Sequence, residues 1–167
     1  MADEPRIQAL FPNPNVVRYL HAAIPWPYPD DGASQHLRRI LPLIEAGEEY
    51  DWAITLKEGE DAGLIGLIGL FPASDEDNRG FWLGEPYWGS GLMREATVVV
   101  NDFAFDVLGM EALLLNNAEP NLASHRLKAS AGAEIVDIRD NDYVGGTFPQ
   151  VRWRLTAEAW HRHRPIA

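Results

Sequence analysis

Residues 80–109 read GFWLGEPYWGSGLMREATVVVNDFAFDVLG, a stretch that predicts a strand, a tight loop and a long amphipathic helix. The loop consists of Gly89, Ser90 and Gly91. A loop in this position aims free backbone N–H groups and the positive end of the helix dipole at one point, where a phosphate or pyrophosphate can bind. It lacks the lysine of a P-loop and the third glycine of a dinucleotide-binding fingerprint. The stretch therefore predicts a site for a phosphate-bearing ligand of a different kind.

The composition fits one globular domain over residues 1–167, because 46% of the 167 residues are hydrophobic. The absence of cysteine excludes disulfides, thiolate metal sites and a cysteine nucleophile. The net charge of −11 argues against nucleic acid as the main ligand, because binding to a phosphate backbone requires a basic face. That charge suits a cationic or amine-bearing substrate, and it is equally consistent with a role in solubility alone.

The sequence predicts a cytoplasmic protein without a membrane segment. The N-terminal residues carry no secretory signal pattern. The longest apolar run, residues 62–73, is much shorter than the roughly 20 residues that cross a bilayer. No metal site is predicted, because His161 and His163 lack a third nearby ligand.

Hydrophobic spacing predicts helices in 4–22, 32–47 and 121–130, a terminal helix or tail over 157–163, and strands over 51–57, 63–71, 81–83, 112–115, 133–139 and 151–155. Pro42 is expected to bend or split the helix over 32–47. The helix after the glycine loop is expected to bury one stripe: Leu92, Ala96, Val99, Val100, Phe103 and Val107. This order of elements implies an α/β or α+β domain built on one mixed sheet.

Residues 82–133 resemble the GNAT acetyltransferase superfamily, and within it the branch of ribosomal-protein N-acetyltransferases. The resemblance rests on GFWLGEPYW leading into the glycine loop, on the helix LMREA followed by FAFDVLGM, on the strand ALLLNN, and on NLASHRLKASAGA. The last segment is similar to the branch's Asn-x-x-Ser helix, which ends in a glycine turn. NVVRYL and PWPYP also look like the first helical region and loop of the branch, so the resemblance covers nearly the whole chain.

The sequence departs from the family pattern in two places. Pro86 stands where the wider superfamily has Gln or Arg. The chain also begins where the first helix is expected, without the strand rich in Leu and Arg that usually precedes it. The implied fold is therefore α/β (α+β), with a central mixed, mostly antiparallel sheet flanked by helices and lacking the usual first strand, which is either missing or replaced by another segment. The neighbouring strand would then have an exposed edge, and such edges favour a homodimer.

The resemblance implies acetyl-CoA as co-substrate and assigns ten residues to its site: Trp82, Leu83, Trp88, Gly89, Ser90, Gly91, Leu92, Met93, Asn121 and Ser124. Ser124 is the implied catalytic residue, placed near the CoA sulfur to donate a proton to the leaving thiolate, although it also suits an ordinary helix start. Asn121 is implied to contact the pantetheine arm and is equally suited to N-capping. A backbone N–H near Leu83 is expected to polarise the thioester carbonyl.

The implied acceptor site comprises Trp26, Tyr28, Glu85 and Tyr143, for which packing is the alternative role. Related enzymes often have a glutamate base on the strand before the loop, but the aligned positions here are Asn78 and Arg79. A site without a strong base favours α-amines, with a pKa of about 8, over lysine amines, with a pKa of about 10.4. Arg126 and Lys128 are expected on a solvated helix face or at the CoA phosphates.

The sequence thus predicts an N-acetyltransferase that moves acetyl from acetyl-CoA to a primary amine by direct attack in a ternary complex. The acceptor is either a protein N-terminus or a small molecule. The alternative is a non-catalytic acyl-CoA-binding sensor or interaction module. A nucleotide-binding domain is disfavoured, because no lysine and partner aspartate stand at the required spacing.

Overall fold

The structure, a computed structural model, describes residues 2–57 and 63–165. Its helices are α1 (Glu4–Leu10), α2 (Pro14–Val17), α3 (Gly32–Glu45), α4 (Leu92–Asp102), α5 (Leu122–Ser130) and α6 (Ala157–His163). Its strands are β1 (Tyr50–Thr55), β2 (Leu64–Leu70), β3 (Arg79–Leu83), β4 (Ala112–Ala118), β5 (Glu134–Tyr143) and β6 (Gly146–Thr156). A 3-10 turn, Glu85–Tyr87, precedes the glycine loop, and a π-helical turn, Phe103–Val107, extends α4. Each predicted helix and strand is present, and β3 to β6 are longer than predicted.

The six described strands form two antiparallel sheets rather than one, in the orders β1-β2-β3 and β4-β6-β5. Asn78, the residue before β3, joins them. Its backbone N–H donates to the Leu114 carbonyl of β4 at 2.7 Å, and its side-chain Oδ1 accepts from the Leu114 N–H at 2.6 Å. The expected central sheet is thus two separate sheets that the Asn78 hydrogen bonds connect, and helices pack on their faces.

The strand β2 is buried along its whole length, as the sequence predicts. A Cβ on Gly66 would lie 2.4 Å from the Trp82 carbonyl oxygen of β3, and a Cβ on Gly69 would lie 2.7 Å from Asp51 Oδ1 of β1. Both distances are too short for a side chain. The glycines therefore allow close packing between neighbouring strands.

Helix α3 runs without interruption through Pro42, so a split at this residue is wrong. Proline removes one N–H, the donor to the carbonyl of Arg38. Arg38 is exposed, so water can satisfy that carbonyl at little cost.

The predicted buried stripe of α4 is wrong at two positions: Val99 is 65% exposed and Val107 is 68% exposed. The buried face instead includes Thr97, Val100 and Asn101. The polar Asn101 is buried because it accepts a hydrogen bond from the Arg79 side chain. The π-helical turn also changes which residues face inward beyond Asp102, since it adds a residue to the turn.

Two apolar clusters flank β2 and define the layers of the fold. One cluster packs Ile68 and Leu70 against α4, β4, β6 and α6. The other packs Leu64 and Leu67 against α1, α2 and α3. The domain is therefore of the α+β class, with helices on both sides of the first sheet. Within the described residues, none of the helices has the length and apolar character needed to cross a bilayer.

Candidate active site

A cavity of about 1030 Å³ lies between the two sheets. One wall comes from the first sheet and the N-terminal region, the other from β4, α5 and β5. The lining residues used below are Tyr28, Asp51, Glu76, Asp77, Arg79, Phe81, Trp82, Asn121, Ser124, Lys128 and Tyr143. Of the ten residues implied for acetyl-CoA, the cavity thus brings together Trp82, Asn121 and Ser124, while the glycine loop lies beyond its described lining.

Strand β3 turns unpaired backbone groups toward the second sheet. A hydrogen bond marks each end of its pairing with β2: Phe71 N donates to Asn78 O at 2.8 Å, and Gly84 N donates to Ile65 O at 2.8 Å. Because bonding direction alternates along an antiparallel strand, the N–H and C=O groups of Phe81 and Leu83 point to the opposite edge. Trp88 Nε1 occupies one of them by donating to Leu83 O at 2.7 Å. The Leu83 N–H therefore faces the side where a thioester carbonyl is expected to bind.

The glycine loop has the conformation that the sequence requires. Gly89 and Gly91 have φ angles of +76° and +83°, a region that favours glycine. A Cβ at either position would meet nothing within 4 Å, so the space beside the backbone is open. Gly91 caps α4 without a side-chain hydrogen bond, and this leaves first-turn N–H groups of the helix for a ligand. The Ser90 hydroxyl donates to Tyr87 O at 2.6 Å, which fixes the loop.

Helix α5 places the predicted catalytic serine at the cavity wall. Asn121 is the N-cap of this helix, as predicted, and its Oδ1 accepts from Ser124 N at 3.2 Å. Ser124 is 5% exposed. The cap fixes the first turn, so the serine hydroxyl has a defined position beside the cavity.

Lys128 is buried, so its expected place on a solvated helix face is wrong. It is 2% exposed, and its Nζ donates to Ser124 Oγ at 2.6 Å. The Phe81 ring of β3 lies 5.7 Å from Nζ, in a cation–π arrangement. The sequence signal for this contact is the spacing of Ser124 and Lys128, because residues four apart share one face of a helix. Arg126, by contrast, is exposed.

Two charged residues before and in β3 surround Lys128, and sequence reasoning missed the first. Asp77 Oδ1 accepts from Arg79 N at 3.4 Å, and the Arg79 side chain donates to Asn101. Burial lowers the pKa of Arg79 to about 10, against the opposing charge of Asp77, so the guanidinium stays charged at neutral pH.

Burial brings the pKa values of Asp77 and Lys128 close to neutral pH. It raises the pKa of the Asp77 carboxyl to about 6, against the opposing charges of Lys128 and Arg79. It lowers the pKa of Lys128 to about 7, a direction that the Arg79 charge reinforces and Asp77 opposes. Both groups can therefore exchange protons near neutral pH.

The structure brings two of the four predicted acceptor residues to the cavity. Tyr28 and Tyr143 line it, and burial raises the pKa of both, so their hydroxyls stay protonated at neutral pH. Trp26 is 42% exposed and lies outside the described lining. The Glu85 carboxylate is also outside it, held by the side chains of Asn13 at 2.6 Å and Asn15 at 2.8 Å.

A second carboxylate that sequence reasoning missed lies across the cavity. Burial raises the pKa of Asp51 to about 6; the charge of Glu49 adds to this shift and Arg39 opposes it. Asp51 and Trp52 are neighbours in β1, so their side chains point to opposite faces of the sheet. The Asp51 side chain therefore lies opposite the apolar residues that predict this strand. The cavity thus offers a proton acceptor although Asn78 and Arg79 occupy the family position of the base.

The fold and the site together define the class of protein: an α+β domain of the acetyltransferase type, with a glycine loop at a helix N-terminus and a polar cavity between two sheets. The family model described as an acetyltransferase (GNAT) domain matches residues 1–134. The chain belongs to the GNAT acetyltransferase family, as the sequence predicts.

Known relatives agree with this assignment. The chain is 29% identical over 126 residues, 72% of its own length and 68% of the other's, to the Bacillus subtilis protein named probable N-acetyltransferase YjcK. The ribosomal-protein-S5-alanine acetyltransferase of Vibrio fischeri superimposes with a TM-score of 0.77 at 16% identity, over 95% of this chain and 90% of that one. The spermidine N-acetyltransferase of Vibrio cholerae, solved with CoA and spermine, gives 0.75 at 17% identity, over 96% and 93%. At these identities the two structures show a shared fold.

Proposed function

We propose that the chain transfers the acetyl group of acetyl-CoA to a primary amine by direct attack within a ternary complex. The observation that carries this proposal is the pair of walls around the cavity. One wall presents the free backbone edge of β3, and the other presents the buried Ser124 hydroxyl. A thioester held between them would have an N–H donor for its carbonyl oxygen and an O–H donor for its sulfur.

The donor half of the site is proposed to run from the glycine loop into the cavity. The open space at Gly89 and Gly91 fits a pyrophosphate, since its oxygens can approach the backbone N–H groups without meeting a side chain. The pantetheine amides would bond to the free edge of β3 at Phe81, as an added strand does, and the Leu83 N–H would remain for the thioester carbonyl. Asn121 and Ser124 would then meet the arm near its sulfur.

The acceptor half is proposed to bind the amine at Asp51. Three carboxylates line the cavity, those of Asp51, Glu76 and Asp77, but Glu76 is paired with Arg139 and Arg152, and Asp77 lies beside the charges of Lys128 and Arg79. Of these, Asp51 suits the role of proton acceptor, because its raised pKa brings it closer to that of the amine. An α-amine with a pKa of about 8 needs less help than a lysine amine with a pKa of about 10.4, so N-terminal and low-pKa amines are the proposed acceptors.

The proposed reaction is balanced by two proton movements. The neutral amine attacks the carbonyl carbon, a C–N bond forms, and the Leu83 N–H stabilises the oxyanion. The C–S bond then breaks and its electron pair goes to sulfur, which takes a proton from Ser124, while the Ser124 oxygen regains a proton that comes ultimately from solvent. The amine nitrogen loses its extra proton to Asp51 or to water, so that the products are the acetylated amine and free CoA.

Release of free CoA from acetyl-CoA, measured with and without amines, tests this proposal. The panel comprises N-terminal peptides, small amines including a polyamine, and a peptide with an acetylated N-terminus and one lysine. We expect amine-dependent release, faster for N-terminal amines than for the lysine side chain. Calorimetric binding of acetyl-CoA without amine-dependent release would instead support the alternative of an acyl-CoA-binding sensor. A homodimer and a cytoplasmic location stay predictions from the sequence.

A further inference from the structure

We propose that Lys128 is a positioning residue that acts through Ser124: it orients the serine hydroxyl toward the leaving thiolate of CoA and replaces the proton that Ser124 gives to that thiolate. This inference rests on the proposed acetyl transfer and adds to it a residue that sequence reasoning placed elsewhere. It concerns the pair of Lys128 and Ser124 on one face of α5, which lines the cavity.

The hydrogen bond between the two side chains determines where the serine proton points. In its charged form Lys128 has three donors and no acceptor, so its Nζ donates and Ser124 Oγ accepts, over 2.6 Å. The hydroxyl hydrogen of Ser124 is then free to turn elsewhere, and the described residues offer it no acceptor. Because the serine backbone is fixed by the Asn121 cap, the remaining direction for this donor is the cavity.

The surroundings of Lys128 favour negative charge at the end of that donor. The charged groups near its Nζ are Asp77, from the loop before β3, and Arg79, from β3 itself. The Phe81 ring covers a further side. When Lys128, Arg79 and Asp77 are all ionised, this buried cluster carries one net positive charge. A thiolate that forms beside Ser124 would neutralise this charge, which is stabilisation aimed at the leaving group.

The proposed proton transfer is a relay of two steps that occur together. As the C–S bond breaks and sulfur takes the electron pair, the Ser124 O–H gives its proton to sulfur. Ser124 Oγ takes a replacement proton from Lys128 Nζ, which leaves the lysine neutral. Lys128 regains a proton from solvent through the cavity that it lines. Only bonds to hydrogen change at Ser124 and Lys128, and neither residue forms a covalent bond to the substrate.

The same pair of residues also has the composition of a serine nucleophile with a lysine base. In that case Ser124 would carry the acetyl group as an ester, and the kinetics would be ping-pong. The burial of an ammonium donor on Oγ argues against this, since a nucleophile needs a partner that accepts its proton. Mass spectrometry of protein mixed with acetyl-CoA alone distinguishes the two, and an acetyl group on Ser124 that is transferred at the catalytic rate would overturn the relay.

The variants Lys128→Met, Ser124→Ala and the double substitution test the relay, and Lys57→Met is the matched control. Lys57 is exposed at the end of β1. We expect Lys128→Met to lower kcat about 100-fold, typical of a lost acid catalyst, with the KM for acetyl-CoA nearly unchanged. The double variant should be no slower than Ser124→Ala, because both side chains act in one relay. The fall of kcat above pH 7 in the unaltered protein should disappear in Lys128→Met. An unchanged kcat and pH profile in a folded Lys128→Met protein would overturn the proposal.

A measurement without turnover separates this inference from the proposed function. The thiol of CoA bound to the protein is titrated by its ultraviolet thiolate absorbance, in the unaltered protein and in Lys128→Met. We expect the bound thiol to ionise at lower pH when Lys128 is present. If the protein releases no CoA in response to any amine but shows this difference, the proposed function fails and the contact stands. Equal titration in the two proteins would overturn the role of Lys128 whatever the activity.

Discussion

At the residue scale, the buried Lys128 makes stability depend on pH. Its pKa is lowered to about 7 in the folded protein, so between that value and about 10.4 the unfolded chain binds a proton that the folded chain has released. The free energy of unfolding contributed by this residue therefore rises with pH across that range. Below pH 7, where the folded protein also keeps the proton, the cost of burying the ammonium is present in full.

We predict that Lys128→Met raises the free energy of unfolding at pH 6 by about 1 to 4 kcal/mol, as when packed apolar side chains replace buried ionic groups. The remaining Asp77 and Arg79 form a balanced pair, so no buried charge is left alone. Urea denaturation at pH 6 and pH 9 measures the effect, which should be smaller at pH 9. A variant that is less stable at both values would show instead that Lys128 is a structural residue.

Residues of the site differ in how far the sequence could predict them. Asn121 and Ser124 belong to a local pattern, Asn-x-x-Ser, whose capping bond forms within one turn. Lys128 and Asp77 do not, because their burial depends on β3 and α5 meeting across the cavity. A lysine is almost never fully buried without a partner, so sequence alone favours the surface for it.

At the element scale, the loop before α4 has a matched counterpart at the far end of the same helical segment. Gly91 and Gly109 have φ angles of +83° and +66°, and a Cβ at either would meet nothing within 4 Å. Alanine at each should therefore cost a similar amount of stability, about 1 to 2 kcal/mol, through backbone strain alone.

We predict that Gly91→Ala weakens CoA binding at least tenfold, whereas Gly109→Ala leaves it unchanged. The physical reason is that only the Cβ at residue 91 stands where phosphate oxygens would approach the N–H groups of α4. Isothermal calorimetry at a temperature where both variants are folded gives the two dissociation constants. Equal losses in the two variants would place the pyrophosphate elsewhere.

The middle of α4 shows what the hydrophobic periodicity does not predict, namely which residues face the core. The start at Leu92 and the end near Gly109 follow from local signals, and both were predicted. The inward face was not, because the Arg79 side chain draws Asn101 into the core and the π-helical turn shifts the residues after it. Both effects depend on a partner strand that a pattern of hydrophobic residues cannot include.

At the scale of the whole molecule, the two sheets and the helices around them follow from the sequence, but the division of the sheet does not. Asn78 lies in a polar, acidic segment that predicts only a turn. Its side chain nevertheless binds Leu114 of β4, 36 residues away, and also donates to Phe71 O at 3.0 Å and Ser74 O at 2.8 Å. Such contacts between distant segments leave no local pattern.

We predict that acetyl-CoA protects the amides of Phe81 and Leu83 from hydrogen exchange, whereas adenosine 3′,5′-bisphosphate at equal saturation does not. The nucleotide lacks the pantetheine arm and can occupy only the phosphate end of the site. Both ligands should raise the melting temperature, since each binds the folded state alone and adds about 2.7 kcal/mol to the free energy of unfolding at a concentration 100 times its dissociation constant. Protection of these amides by the nucleotide as well would contradict a pantetheine strand.

The hydrogen bond between Asn78 and Leu114 connects the two sheets. In the proposed site, bound CoA would lie between the sheets and give β3 the neighbouring strand that the division of the sheet leaves out. CoA would then hold the two sheets together during each turnover and release them when it dissociates, so a substitution that loosens the sheets is expected to weaken CoA binding too.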